Sequence, residues 1–572
     1  METIMQIWRV DVVTQKLNRE PVPAGWEKLG GRGLLARIML DEVEPTCEPL
    51  GSKNKLIYAP GLLVGQRLSS CDRLSVGGKS PLTGGIKEAN AGGRTGLHMA
   101  MMGMKALILE GKPKADGWWI LHLSLEGARW EKADELAGLG IYDATPKLIE
   151  KYGKHVAIAL IGLAGELELA SAGIQNIDKD RIPSRMAARG GLGAVMGSKG
   201  LKAIIFDNAG GQNPPQEDPE KYKPIRKSYT TAVINHPQSQ VYKDYGTAAM
   251  TMMCNTMGAL PTRNFSSGEF ENAENISGDT MRAMTLERGG KGAPAHACMA
   301  GCTIQCSNIF PDANGESLVS PLEYETIGLM GSNLGIDSFD VIGQLNYVAN
   351  DLGLDTIELG AALGVAAEAG LMAWGDGERA LQLVDEIRQN TPLGRILGMG
   401  ATITGKVLGV ERVPAVKGQA MSSYEPRAIK GTGVTYATTP QGADHTSGLT
   451  IRAKVDHLSP KGQVAASLNA QLNNAGYDSL GACLFSGFGF STDPTLVPEL
   501  VRTIYGWEVS DNYLQDLGKE TIKMEREWNR RAGFTNAHDR LPEWMTREPV
   551  PPTNAVFDVS NEELDTIFDK LD

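Results

Sequence analysis

Near residue 208 the periodicity of this sequence changes, and no other feature limits the fold as much. Before that point, short apolar runs alternate with Gly, Pro and Ser. The runs Ile4–Val13, Lys55–Tyr58, Arg73–Val76, Ala106–Leu109, Trp119–Leu123, His155–Ile161 and Lys202–Phe206 predict strands. Gly96–Met104, with Leu97, Met101 and Met104 at helical spacing, predicts one helix opening from a glycine-rich turn. Asn208–Pro219 combines Gly, Pro and acidic residues with no apolar run and reads as a linker. Beyond it, apolar residues recur three and four apart. They do so over Glu220–Asn235, Leu322–Leu334, Phe339–Asp351, Thr356–Trp374, Gly377–Gln389 and Leu393–Leu408, then over Gly462–Ala475, Pro494–Gly506 and Asn512–Ala532. A second linker is expected around Val413–Thr439, and no repeat of fixed period is found. The expectation is an α+β chain, with a β-rich domain over 1–208 followed by two mostly helical domains over 209–412 and 413–572.

Composition excludes several classes of function. The 572 residues carry 56 Lys plus Arg against 68 Asp plus Glu, a formal charge of −12. A general nucleic-acid binder needs a basic stripe to release counterions, so nucleic acid is not an expected partner. A hydrophobic content of 42% and a charged content of 22% fit a globular chain and rule out bulk disorder. Met1 to Thr14 shows no charged region leading into an apolar one, and no apolar run is long enough to span a bilayer. The protein is expected to be soluble and cytoplasmic. Glycine is the outlier, 68 residues of 572 against an average of about 7%.

Seven cysteines are too few, and odd in number, for a secreted disulfide scaffold. Three of them fall together in Cys298-Met-Ala-Gly-Cys302-Thr-Ile-Gln-Cys306. Thiolates at this spacing line one helix face or wrap a cofactor from a loop, and Gly292, Pro294 and Gly301 favour the loop. Three thiolates and a fourth suit an iron–sulfur cluster; a zinc site could recruit His296; a set of buried free thiols is the plainest reading. The spacing misses the CxxxCxxC of radical enzymes by one residue. Cys47, Cys71, Cys254 and Cys483 are the candidates for a fourth ligand. Cys483 has the best setting, at a glycine-punctuated helix end.

Glycine couples with arginine three times in the first domain: Leu29-Gly-Gly-Arg-Gly33, Asn90-Ala-Gly-Gly-Arg-Thr-Gly96 and Arg189-Gly-Gly-Leu-Gly193. Glycine lets backbone N–H groups approach an anion, and arginine forks onto phosphate. Neither a P-loop nor a dinucleotide fingerprint is present. Ordinary turns would explain any one of these stretches. Three together point to a large phosphorylated ligand that is not a common nucleotide.

A set of segments in fixed order completes the pattern. These are Lys79-Ser-Pro-Leu-Thr-Gly84, Ala89-Asn-Ala-Gly-Gly93, Arg189 to Lys199, Glu323-Tyr-Glu-Thr326, Gly353-Leu-Asp355, Gly442-Ala-Asp-His445 and Asp478-x-x-Gly-x-Cys483. Together they resemble the tungsten-pterin aldehyde ferredoxin oxidoreductases, from about residue 30 to 485. The resemblance implies tungsten (or molybdenum, which the sequence does not distinguish) held by two pterin dithiolenes, with a [4Fe–4S] cluster and Mg2+. It also implies a β domain forming a base for the pterins. Its cluster ligands map onto Cys298, Cys302, Cys306 and Cys483. Many members begin this run with CxxC; here three residues separate Cys298 from Cys302, and His296 is the nearest substitute for the first ligand. By the same resemblance Arg73 would bridge pterin and cluster. Asn90 and the carbonyl of Met186 would hold the magnesium, and Gly92, Arg185, Ala188 and Arg189 would line the pterin phosphates. Asp355 and Asp478 would bind the pterin rings, beside Leu354, Ala482, Cys483 and Leu484, with Asn350 in place of the leading Asp of the first of two related motifs.

Two residues carry a chemical argument of their own. Glu325 lies in an apolar helix start, where burial would raise its proton affinity towards neutrality, as a proton-shuttling carboxyl needs. Its alternative is an exposed Glu favouring a helix N-terminus, a role that Glu323 would fill better. His445 sits in a polar turn beside Asp444, an ordinary place for a surface histidine; the resemblance sets both residues beside the metal. The implied activity is oxidation of an aldehyde to a carboxylic acid, with electrons leaving through the cluster to ferredoxin or a ferredoxin-like subunit, in a homodimer or a hetero-oligomer. Reduction of an aromatic acyl thioester on the same cofactor is one alternative, and a cluster-only electron-transfer subunit another.

Overall fold

A computed structural model describes residues 5–114 and 117–571; Ile4, at the head of the first expected strand, lies outside the described residues. Two six-stranded sheets dominate the first part of the chain. The first contains β1 (Gln6–Asp11), β2 (Lys16–Pro21), β3 (Leu56–Pro60), β4 (Leu74–Lys79), β5 (Ile86–Ala91) and β6 (Met104–Glu110) in the order β2-β1-β6-β3-β4-β5. The second contains β7 (Trp119–Ser124), β8 (Gly127–Lys132), β9 (Ala157–Leu160), β10 (Ile174–Ile177), β11 (Pro183–Ala187) and β12 (Leu201–Asp207). Read from its β8 edge, its order is β8-β7-β12-β9-β10-β11. The two orders are the same topology. Each sheet opens with a hairpin, pairs its first strand parallel to its last, and is antiparallel elsewhere. The duplication escapes a search for a fixed period because the intervening loops differ in length.

Residues of both sheets, among them Trp8, Tyr58, Val76, Leu121, Ile174 and Phe206, form one shared core. Its central strands are buried on both faces and therefore read as continuous apolar runs. The fifth strands, β5 and β11, are the outer edges, and they meet. Each runs through a glycine turn into a short helix, Thr95–Met101 or Leu192–Ser198.

The helical part repeats this symmetry. Helix Phe339–Leu352 ends on Gly353 at φ 78°, and helix Gln463–Leu480 ends on Gly481 at φ 74°, both in the left-handed region that favours glycine. Each end seats on a glycine just after the third strand of one sheet. A Cβ on Gly162 would lie 2.4 Å from the Leu352 carbonyl oxygen, and one on Gly61 would lie 1.9 Å from the Gly481 nitrogen. Backbone bonds from Gly173 to the Gly353 carbonyl (2.9 Å) and from Arg73 to the Gly481 carbonyl (3.0 Å) fix both joints.

Two expectations are corrected. Val413–Thr439 is no linker: it holds a hairpin, Ala415–Val416 with Gln419–Ala420, and helix Lys430–Thr438, and from Gln419 onward it is buried. Its Ser, Thr and charged residues mimic a loop, but they form a hydrogen-bonded polar core; Arg427, for instance, grips Glu425 at 2.8 and 2.9 Å. Leu393–Leu408 is two helices, Pro392–Gly398 and Ala401–Leu408, broken at Gly400 with φ 94°. Among the described residues no helix is long and apolar enough to cross a membrane.

Candidate active site

The three clustered cysteines occupy a loop, as the glycines predict. Strand Ala293–His296 pairs with strand Ser307–Pro311, and the thiols lie in the connection between them. Cys483 follows the Gly481 helix end. Its backbone N–H donates to the Ser70 carbonyl at 2.8 Å, while the Ser70 hydroxyl lies 3.2 Å from Cys302 Sγ. One residue thus ties the fourth thiol to the trio, across 181 positions of sequence between Cys302 and Cys483. All four are unpaired. Donating a hydrogen bond to Cys302, and then burial, raise Cys298, while accepting that bond lowers Cys302; burial raises Cys306 and Cys483. Four thiols crowded in a buried pocket cannot all ionise without a cation to hold them. His296 is not a fifth member of this set. Its Nε2 lies 2.8 Å from Asp178 Oδ2, with Asp180 near the other nitrogen. The rival cysteines stand apart: burial pushes Cys71 and Cys254 up to about 12, and Cys47 belongs to the apolar core.

Arg73 leaves β4 beside this pocket. Its guanidinium donates to the Asn90 side-chain oxygen and, at 3.3 Å, to the Asn90 carbonyl; the charges of Cys483 and Cys298 act on it. Gly92 lies close against the cysteine loop: a Cβ there would meet Cys298 Sγ at 3.3 Å, tighter than an ordinary contact. Asn90 and Met186 sit on the adjoining edge strands β5 and β11. Arg185 turns to the cysteine loop, donating to Ser307 Oγ at 2.6 Å. The Arg189 guanidinium bonds the Ala443 and Ala420 carbonyls at 2.7 and 2.6 Å and Asp355 at 3.2 Å. Asp355 also caps helix Thr356–Glu368 through the Ile357 N–H at 2.9 Å. Asn350 Nδ2 reaches Tyr142 Oη at 3.4 Å; Leu354 and Ala482 are buried and Leu484 is exposed. Asp478 pairs with Arg32 at 3.3 Å, and burial and the Glu88 charge push it up to about 8.

Glu325 begins helix Tyr324–Met330, and His445 sits in the turn after Asp444. His445 Nε2 lies 3.2 Å from Glu325 Oε1, and the Tyr424 hydroxyl reaches the same oxygen at 3.4 Å. Burial alone would raise Glu325, but the His445 charge and hydrogen bond outweigh it and the net direction is down. The expected rise belongs instead to Glu323, which burial raises and which accepts from the Thr247 hydroxyl. The turn holding His445 is anchored from beneath. Lys87, fully buried, meets Asp444 Oδ2 at 2.6 Å, and Asp444 caps Thr446 N–H at 3.0 Å. Tyr424, Lys87 and Glu88 are the functional neighbours that sequence reasoning missed. Tyr424 lies in the stretch misread as a linker, and the other two lie on a strand it did not predict.

Residues 7–208 match the model of the N-terminal domain of aldehyde ferredoxin oxidoreductase, and residues 224–571 match that of its domains 2 and 3. The chain belongs to the aldehyde ferredoxin oxidoreductase family. It is 32% identical over 576 residues to the tungsten-containing aldehyde ferredoxin oxidoreductase of Pyrococcus abyssi, spanning 96% of this chain and 92% of that one. The Pyrococcus furiosus enzyme of the same description is 32% identical over 550 residues, 91% of this chain and 88% of the relative. In fold the chain is similar to the active-site complex BamBC of benzoyl coenzyme A reductase in complex with 1,5-dienoyl-CoA. The TM-score is 0.80 at 19% identity, over 100% of this chain and 94% of that one.

Membership implies an oxidoreductase with a tungsten-pterin cofactor, and the residues present fit one. Asp478 and Glu325 keep 16% and 18% of their side-chain surface accessible, room enough for each carboxylate to meet a ligand. His445 Nδ1 is buried without a hydrogen-bond partner. The duplicated shelf offers equivalent edge strands and equivalent helix ends on its two halves, as a ligand with two like arms requires.

Proposed function

We propose that this family member oxidises aldehydes to carboxylic acids at a tungsten bis-pterin centre, passing electrons through a [4Fe–4S] cluster to ferredoxin or an iron–sulfur partner subunit. The observation that carries the reading is the Glu325–His445 pair, 3.2 Å apart, with the Tyr424 hydroxyl on the same carboxylate oxygen. When bound, the tungsten centre supplies the two-electron acceptor for the conversion of an aldehyde and water to an acid.

The chain's own residues manage protons and position. Glu325, held ionised by His445, takes the proton of the water that adds to the carbonyl carbon. His445 donates to the carbonyl oxygen as charge develops there. Tyr424 holds the Glu325 carboxylate in line, and Lys87 with Asp444 fixes the turn from which His445 projects. Cys298, Cys302, Cys306 and Cys483 would hold the cluster, and Arg73 would stand between it and the pterin. Asn90 and the Met186 carbonyl, on adjoining edge strands, would hold a magnesium ion. The partner assembly, a homodimer or a complex with a ferredoxin-like subunit, belongs to the same proposal.

The test is Glu325→Gln in anaerobically purified protein. Turnover of aldehydes should fall by at least about a thousandfold, with tungsten and iron contents unchanged. Full activity in E325Q would reject the acid–base assignment.

A further inference from the structure

Between Cys298 and Cys302 the cysteine loop comes to the surface, and the mechanism above does not use this opening. The two cysteines are only 9% and 7% exposed, yet Ala300 and Gly301 between them are open to solvent. A Cβ on Gly301, at φ 75°, would meet nothing within 4 Å. The peptide joining two of the four converging thiols thus faces water, with no side chain of its own larger than a methyl group.

A second loop is fastened to the same edge. Ser69 Oγ lies 2.9 Å from Thr303 Oγ1 and accepts from the Thr303 N–H at 3.0 Å, and Ser70 Oγ lies 3.2 Å from Cys302 Sγ. Just before Ser69, Arg67 is exposed at φ 57°. Helix Pro219–Asn235 clamps this loop: the Tyr222 hydroxyl donates to the Gln66 carbonyl, and the Tyr229 hydroxyl to the Ser69 carbonyl at 2.9 Å. Arg226 follows Tyr222 by four residues and precedes Tyr229 by three, so it shares their face of the helix, half-buried. Acids at the head of that helix are taken up, Asp218 by Lys221 at 2.9 Å and Glu220 by Lys223 at 2.6 Å. Among the described residues no carboxylate pairs with Arg67 or Arg226.

We propose that this face is the docking site of an acidic iron–sulfur protein, whose carboxylates meet Arg67 and Arg226 while its cluster comes over the Ala300–Gly301 peptide. On a chain of formal charge −12, unpaired arginines beside the open part of the cysteine loop draw an anionic partner to this face against the general repulsion. Glycine at the tip lets the partner approach the ligand-bearing backbone closely. Each encounter moves one electron from the reduced cluster of this chain to the oxidised cluster of the partner, with no bond made or broken. The inference gives the electron acceptor named above a place on the surface and rests on that reading.

The test titrates the metal-loaded holoenzyme with a purified acidic [4Fe–4S] ferredoxin, without aldehyde, in wild type, the double variant Arg67→Glu with Arg226→Glu, and Ala300→Trp. Calorimetry should show Kd rising at least about tenfold in the double variant, with a flatter dependence on salt. A300W should lose binding to a similar degree by holding the partner off the loop, whereas Ala300→Ser should bind as wild type does. Iron content and the reduced-cluster resonance should be unchanged in all of them. Aldehyde-dependent reduction of benzyl viologen, a small acceptor that needs no docking face, should stay within about twofold of wild type. Unchanged ferredoxin binding in the double variant and in A300W, no binding to wild type, or a parallel loss of viologen reduction overturns the proposal. If ferredoxin binds with this dependence but no aldehyde is oxidised, the docking face stands and the reaction assigned above fails.

Discussion

Glu325 Oε1 and His445 Nε2 face each other across 3.2 Å, and the net effect of that pairing is to lower the carboxyl that burial alone would raise. Replacing His445 by Asn removes the opposing charge and leaves burial unanswered. The proton affinity of Glu325 then rises. Because the ionised form is the working base, the acidic limb of the kcat/KM profile should move to higher pH in H445N, alongside a loss of at least about a hundredfold in kcat. An unmoved limb would show that Glu325 does not titrate in the free enzyme's working range.

Cys483 meets the cysteine trio only through folding, with Ser70 bonded to both sides. Cys483→Ala should strip most of the iron and the visible charge-transfer absorbance, whereas Cys47→Ala, in the apolar core, should leave iron content unchanged. Iron measured on both variants after anaerobic purification decides the point.

The joint between sheet and helix is a steric prediction. Gly61→Ala would place a methyl 1.9 Å from the Gly481 nitrogen, and Gly162→Ala one 2.4 Å from the Leu352 carbonyl. Neither neighbour can retreat, since both are backbone. Each variant should lose about 3 kcal/mol or more of stability, measured as a fall in thermal midpoint. A midpoint near wild type would mean the helix ends do not seat as described.

His98 gives a pH prediction for the fold. It is buried, its Nδ1 lies 3.0 Å from the Phe206 carbonyl, and burial lowers it from 6.5 to about 4. A depressed group stabilises fully above its unfolded value and loses that stability as pH falls through the folded one. Stability should therefore drop between pH 6.5 and about 4, by roughly 3 kcal/mol from this residue. Thermal melts of His98→Gln should show a shallower acid slope than wild type.

What the sequence disclosed follows burial. Central strands such as β12 and β3 are covered on both faces, so their runs are continuously apolar and easy to read. The edge strands β2, largely exposed, and β8, half-buried, are mostly polar or small in sequence, and they left no signal. β5 is buried but carries Lys, Glu and Asn in place of an apolar run, so Lys87 and Glu88 went unnoticed. Tyr424 was lost because a hydrogen-bonded polar core resembles a linker in composition. The cysteine loop was legible because glycine and proline punctuate it. The direction of the Glu325 shift was not, since it depends on a residue 120 positions away.

The central claim is that remote segments converge on a heavy-metal centre with an iron–sulfur relay beside it. Elemental analysis of anaerobically purified protein, with low-temperature electron paramagnetic resonance of the reduced sample, tests this most directly. The account predicts tungsten or molybdenum together with about four iron atoms per chain and a reduced-cluster signal. Iron without either heavy metal, or zinc in place of iron, would contradict it.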